Sequence, residues 1–148
     1  MIDEIDRSII EILNKDGRIT NKEISSLLTI SEGTVRNRIS KLTSSGYLTV
    51  KGLINPDIIE GKELIVLGVN IIKTKDLCRK ATQISELEEV VSVLITGGRF
   101  DMLVEAWVDV KHGLIDFISQ KLAKIEGISA TESFIVMKSY NKYLAVNK

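Results

Sequence analysis

The sequence predicts an α+β protein in two parts, an N-terminal winged helix-turn-helix domain followed by a C-terminal ferredoxin-like βαββαβ domain. Three features carry this expectation. Between Thr20 and Ser45 two short helical patterns meet at a joint of two residues, Thr29 and Ile30. After Glu63 the apolar periodicity changes from helical to strand-like. From there the patterns run strand, helix, strand, strand, helix, strand, which is the split βαβ order. The boundaries fall at 1–52 for the first domain, 53–62 for a hinge and 63–148 for the second domain.

Of 148 residues, 44% are hydrophobic and 27% charged, which fits a soluble globular protein with real cores. Lys plus Arg and Asp plus Glu number 20 each, so no overall basic field marks a nucleic-acid partner. Locally the balance tips, because Ser31 to Lys51 holds Arg36, Arg38, Lys41 and Lys51 against Glu32 alone. A short basic patch on a neutral chain suits a DNA reader that relies on dimer geometry, since few phosphate contacts release few counterions. The single cysteine, Cys78, excludes an internal disulfide and is expected as a small apolar core residue of a helix. Neither it nor the single histidine, His112, falls in a zinc-ligand spacing, so no metal is expected. The acidic opening MIDEIDRSII is not a signal peptide. No apolar run approaches the roughly 18 residues that cross a membrane, and the expected location is cytoplasmic.

The first helix, Met1 to Asn14, carries Ile2, Ile5, Ile9, Ile10, Ile12 and Leu13 on its core face, with Asp3 as N-cap and Gly17 as stop. Thr20 caps the second helix and Glu23, three residues on, completes a capping box. Ile24, Leu27 and Leu28 share its inner face. Ser31 caps the third so soon afterwards that the two helices must meet at an angle. In that third helix Val35, Ile39 and Leu42 face inward. At about 100° per residue the opposite side carries Gly33, Thr34, Asn37, Ser40 and Lys41, with Arg36 and Arg38 on the flanks. Short hydrogen-bonding groups edged by cations suit the DNA major groove. An ordinary amphipathic helix shows the same periodicity, but the tight joint, the double capping and the lack of acids after Glu32 favour DNA. In this reading Thr34, Asn37 and Lys41 reach base edges while Ser31, Arg36 and Arg38 contact phosphates.

Gly46 ends the third helix, and Tyr47 to Val50 alternates as a wing strand. Lys51 there is either a phosphate contact or an edge lysine that blocks aggregation. Asn55-Pro56, with Gly61 nearby, punctuates the chain. Leu64 to Ile72 reads as a buried strand, and Asp76 to Leu87 as a helix with Leu77, Ala81, Ile84 and Leu87 inward. Val90 to Thr96 and Asp101 to Val110 are strands joined by a turn whose glycines, Gly97 and Gly98, allow positive φ. Gly113 to Glu126 is a helix with Leu114, Ile118, Leu122 and Ile125 inward. Ile128 to Lys138 alternates again, and Tyr140 to Val146 forms a last edge strand. Val91, Val93, Ile95, Val104, Ala106, Val108, Phe134 and Val136 give the sheet two apolar faces. Helices cover one face, and a second copy of the chain is the simplest cover for the other.

Four stretches, IDEIDRSIIEILNKDGRITNKEISSLLTISEGTVRNRISKLTSSGYL, LINP, ITGGRFDMLVEAW and GISATESFIVMK, together resemble the Lrp/AsnC, or feast/famine, family of prokaryotic transcription regulators. The resemblance runs over essentially the whole chain. It implies a C-terminal effector and oligomerisation domain, a dimer through its sheets, a higher oligomer such as an octamer, and an amino-acid effector as regulatory ligand in place of any cofactor. It also implies an effector site at Gly97, Gly98, Arg99, Phe100 and Asp101, with Thr131 and Ser133 from the last strand. Glycine amides there can meet a carboxylate, Asp101 an α-ammonium, and the hydroxyls the remaining polar atoms. Arg99 departs from the family, where an acid or a neutral residue often precedes the aromatic. It pairs either with the effector or with an acid such as Glu132. The hydroxyls suggest a polar effector, glutamine-like or lysine-like.

Two other functions compete. Some haem-pathway decarboxylases resemble the same family, but this chain offers only His112, and no nucleophile or phosphate-loop motif. An architectural DNA binder without an effector would be expected to carry more positive charge.

Overall fold

The computed structural model describes residues 2–145, and the chain divides into two units between Gly52 and Leu53. The first unit is three helices, α1 (Glu4–Lys15), α2 (Asn21–Leu28) and α3 (Glu32–Ser44). Each begins where a short polar side chain satisfies an orphan amide. The Asp6 amide donates to Asp3 at 2.9 Å and the Asp6 carboxylate accepts from the Asp3 amide at 3.1 Å, a reciprocal capping box. Thr20 and Glu23 form the second box, and Ser31 Oγ accepts from the Thr34 amide at 3.1 Å. The core is Ile9, Ile24, Val35 and Leu42, each contributing on the order of 2 kcal/mol by leaving water. Leu27, expected inside, is 64% exposed, while Ile24 and Leu28 hold the inner face of α2.

Tyr47 to Val50 forms no strand. The amides of Tyr47 and Leu48 both donate to the Leu42 carbonyl, at 3.0 and 3.1 Å, so this segment closes the C-terminus of α3 instead of joining a ladder.

The second unit is built on β1 (Lys62–Ile71), α4 (Leu77–Ser85), β2 (Val90–Ile95), β3 (Met102–Asp109), a helical segment that starts as α5 (Gly113–Asp116), and β4 (Ile128–Ile135). The sheet is antiparallel in the order β2-β3-β1-β4, the ferredoxin-like arrangement. Ile65, Leu67 and Val69 of β1 and Met102, Val104, Ala106 and Val108 of β3 pack with Ile84, Phe117 and Leu122 into the main core. After α5 the chain continues in wider π-type turns (Phe117–Lys121) and a 3-10 turn (Leu122–Lys124). The wider turn puts residues five apart on one side, which is why Phe117 joins Leu122 in the core.

Residues 53–62 are tied down within the second unit: Ile54 exchanges backbone bonds of 2.9 Å each way with Leu144, and Asp57 pairs with Lys138 at 3.2 Å. Two local readings are corrected. The segment read as a strand from Tyr140 makes that single bridge only, and Val146 lies outside the described residues. Cys78 is exposed, because it stands about 100° round α4 from Leu77, off the face that Leu77 and Ile84 turn to the core.

Candidate nucleic-acid interface and effector turn

With Val35 and Leu42 buried, α3 leaves Ser31, Gly33, Arg36, Asn37, Ser40 and Lys41 exposed and Thr34 half-buried. Ser31 and Thr34 are bonded side chain to side chain at 2.8 Å at the start of the helix. Arg36 pairs with Glu32 at 3.2 Å, four residues apart and largely in water. Such a pair is worth only about 0.3–0.5 kcal/mol, so it holds Arg36 weakly.

Arg38 differs from the expected phosphate contact. Its Nη1 donates to Asp3 and to Asp6, 2.7 Å each, tying α3 to the cap of α1. The Asp6 amide and then Arg38 hold the Asp3 carboxyl below its ordinary range. Charge-assisted bonds to two carboxylates hold this guanidinium against the start of α1.

In the second unit, residues 96–101 form a turn bound down onto β1. The Asp101 carboxylate accepts from the Ile71 amide at 2.9 Å, and the Asp101 amide donates to Asn70 Oδ1 at 3.0 Å. Thr96 Oγ1 donates to the Phe100 carbonyl at 2.7 Å. Gly98 has φ of +150°, so the turn needs a glycine there, while Gly97 does not adopt positive φ. The Phe100 ring lies over Gly68 of β1, meets Phe134 edge-on at 6.3 Å, and carries the Arg99 guanidinium 5.2 Å above its centre. Arg99 also pairs with Glu132 at 2.7 Å.

The turn therefore brings together Gly97, Gly98, Arg99, Phe100 and Asp101 but not the two hydroxyls expected from β4. Gly68 pairs with Glu132 and Val66 with Phe134, so these side chains share the Phe100 face of the sheet. Strand alternation turns Thr131 and Ser133 to the helix face. Asn70 and Gly68 were missed from sequence, Phe134 was read only as an apolar residue of the sheet, and Glu132 was named as an alternative partner of Arg99, which it is. An asparagine and a glycine inside an apolar strand were the available signal, since a strand glycine marks close approach.

Residues 2–49 match a family model described as winged helix-turn-helix DNA-binding, and residues 65–146 match one described as Lrp/AsnC ligand binding domain. The chain belongs to the Lrp/AsnC family. The HTH-type transcriptional regulator FL11 of Pyrococcus furiosus is 30% identical over 143 residues, 96% of this chain and 93% of that one. Ptr1 of Methanocaldococcus jannaschii, another HTH-type transcriptional regulator, is 31% identical over 95% of both chains. Among solved structures, the leucine response regulatory protein LrpA of Mycobacterium tuberculosis superposes with a TM-score of 0.82 at 20% identity, covering 95% of this chain and 96% of that one. A Neisseria meningitidis transcriptional regulator in complex with L-Met superposes with a TM-score of 0.75 at 24% identity, covering 100% and 97%.

As a member of the Lrp/AsnC family the protein is a DNA-binding transcription regulator with a ligand-binding domain, and not an enzyme. His112, the residue on which a haem-enzyme reading depended, is exposed just before α5 and makes no side-chain capping bond. No helix among the described residues is long and apolar enough to cross a membrane.

Proposed function

We propose that this chain is a sequence-specific regulator that reads a double-stranded operator with α3 and changes its DNA affinity or oligomeric state when an amino acid binds at the 96–101 turn. The DNA half rests on one observation: Gly33, Asn37, Ser40 and Lys41 stand exposed on the side of α3 opposite the buried Val35 and Leu42. Asn37 and Lys41 lie one helical turn apart, a spacing that lets both enter one groove. Thr34 reaches a base edge beside them, Ser31 and Arg36 take phosphates, and Arg38 holds the helix at its angle.

The effector half is supported by the family's ligand-binding domain and by the L-Met bound to the Neisseria regulator. Gly97 and Gly98 offer exposed amides to a carboxylate, and the Asp101 carboxylate offers an acceptor to an ammonium. With Thr131 and Ser133 on the other face, the case for a glutamine-like effector rests on Glu132 and Arg99, which offer one group of each charge. The sheet face opposite the helices exposes Leu94 and Phe134, and a second copy of the chain covers it. Further assembly of such dimers gives an octamer.

A thermal-shift screen with each of the common amino acids tests the effector half, because a ligand of the folded state raises apparent stability by mass action. One amino acid, or a small related set, should raise the melting temperature of the wild type and not of Gly98→Val. Equal curves with every amino acid contradict effector sensing.

A further inference from the structure

A cleft of about 240 Å³ opens where the end of β1 meets α4 and the turn before β4. It shares no residue with the 96–101 turn. Its charged lining is Lys73, Asp76, Arg79, Lys80 and Glu126.

Lys80 is the unusual member. It is only 6% exposed, and among the described residues it has no hydrogen-bond or ion-pair partner. Lysine is almost never so buried without a paired charge. Its stem passes beside Gly127, where an added Cβ would stand 3.5 Å from Lys80 Cε. The ammonium is not sealed off, since the only fully buried side-chain polar atom without a partner among the described residues is Glu89 Oε2. Arg79 and Asp76 pair at 3.0 Å, and the lining as a whole sets Lys73, Arg79 and Lys80 against Asp76 and Glu126. The Ile72 amide donates to the Gly127 carbonyl at 2.8 Å, which ties the end of β1 to the turn before β4.

We propose that this cleft is a binding site for a small doubly charged oxyanion, a phosphate or a dicarboxylate, held by Lys80 at its base and Lys73 at its rim. A concave site with excess positive charge and low-dielectric walls raises the local concentration of such ions. Without one, the stem of Lys80 would pack on Gly127 merely to carry its head to water. The neighbouring residue Ile71 holds Asp101 through its amide, so the occupied cleft adjoins the strand end that anchors the effector turn.

The test is NMR titration of the full chain at constant ionic strength, with inorganic phosphate in one arm and succinate in the other. At least one probe should saturate, shifting the amides of Lys73, Arg79, Lys80 and Gly127 together, and the arm that does so identifies the class. Lys80→Met should weaken that binding by about tenfold or more, as expected when the charge partner at the base of the cleft is removed. Lys73→Gln and Glu126→Gln, both on exposed side chains, should move the affinity in opposite directions, weaker and tighter, and they decide the matter if Lys80→Met does not fold. Non-saturating shifts spread over all surface lysines, or equal affinities in wild type and folded Lys80→Met, overturn the proposal. Loss of amino-acid sensing at Gly98→Val leaves this test untouched.

Discussion

The ring of Phe100 lies flat across Gly68, so close that a Cβ on residue 68 would stand 2.6 Å from three of its carbons. One glycine in the middle of a central strand thus fixes the height of the whole 96–101 turn above the sheet. Gly68→Ala should therefore destabilise the second unit by about 1–3 kcal/mol, the usual penalty for overpacking. Urea unfolding measures it, and the penalty should shrink in a Phe100→Ala background. An equal penalty in both backgrounds would remove Phe100 as its cause.

Arg38 stands between Asp3 and Asp6 at 2.7 Å from each, and its removal leaves two carboxylates facing each other. Arg38→Gln should lower the stability of the first unit and weaken DNA binding to every sequence alike. The pH dependence has a definite sign. The Asp3 carboxyl lies below its ordinary value of 3.8, so its stabilisation is complete above that value and is lost as pH falls through the lower folded one. Acid titration followed by circular dichroism should show a smaller acid-dependent loss in Arg38→Gln than in wild type.

Thr29 joins α2 to α3 with φ of 54°, a left-handed conformation that a β-branched residue adopts only under strain. Relief of about 1–2 kcal/mol of strain outweighs the added freedom of glycine in the unfolded chain, roughly 0.5–1 kcal/mol. Thr29→Gly should raise the urea midpoint, and a lowered midpoint would show that the threonine is held for another reason.

Much of this was legible because it is local. Asp3, Thr20 and Ser31 announce their helices within three residues each, and the strand-helix order after Glu63 needs only periodicity. What was not legible depends on distant partners. Arg38 looks like one more cation on the α3 flank until Asp3, 35 positions away, takes it. Thr131 and Ser133 carry the right chemistry, but a shift of one residue in the pairing to β1 reverses the face they occupy. Tyr47 to Val50 has strand composition with no neighbouring strand to pair with, so its amides turn to Leu42. Lys80 sits at helical spacing from Leu77 and Ile84, yet its charge argued against the burial that its position gives it.

Leu94 is 52% exposed on the sheet face opposite the helices. If a second copy covers that face, Leu94→Glu should convert the protein toward monomer in sedimentation and raise the protein concentration needed to bind a two-half-site DNA. An unchanged mass would place the dimer contact elsewhere.

The central claim is that the outer side of α3 reads base sequence, and Asn37 tests it most directly. An operator selected from random duplexes should bind the wild type more tightly than its scrambled version. With Asn37→Ala the preference should shrink by about 1–3 kcal/mol while binding to the scrambled duplex and its salt dependence stay the same. If Asn37→Ala weakens both duplexes equally, or leaves the preference intact, α3 does not read bases through this residue.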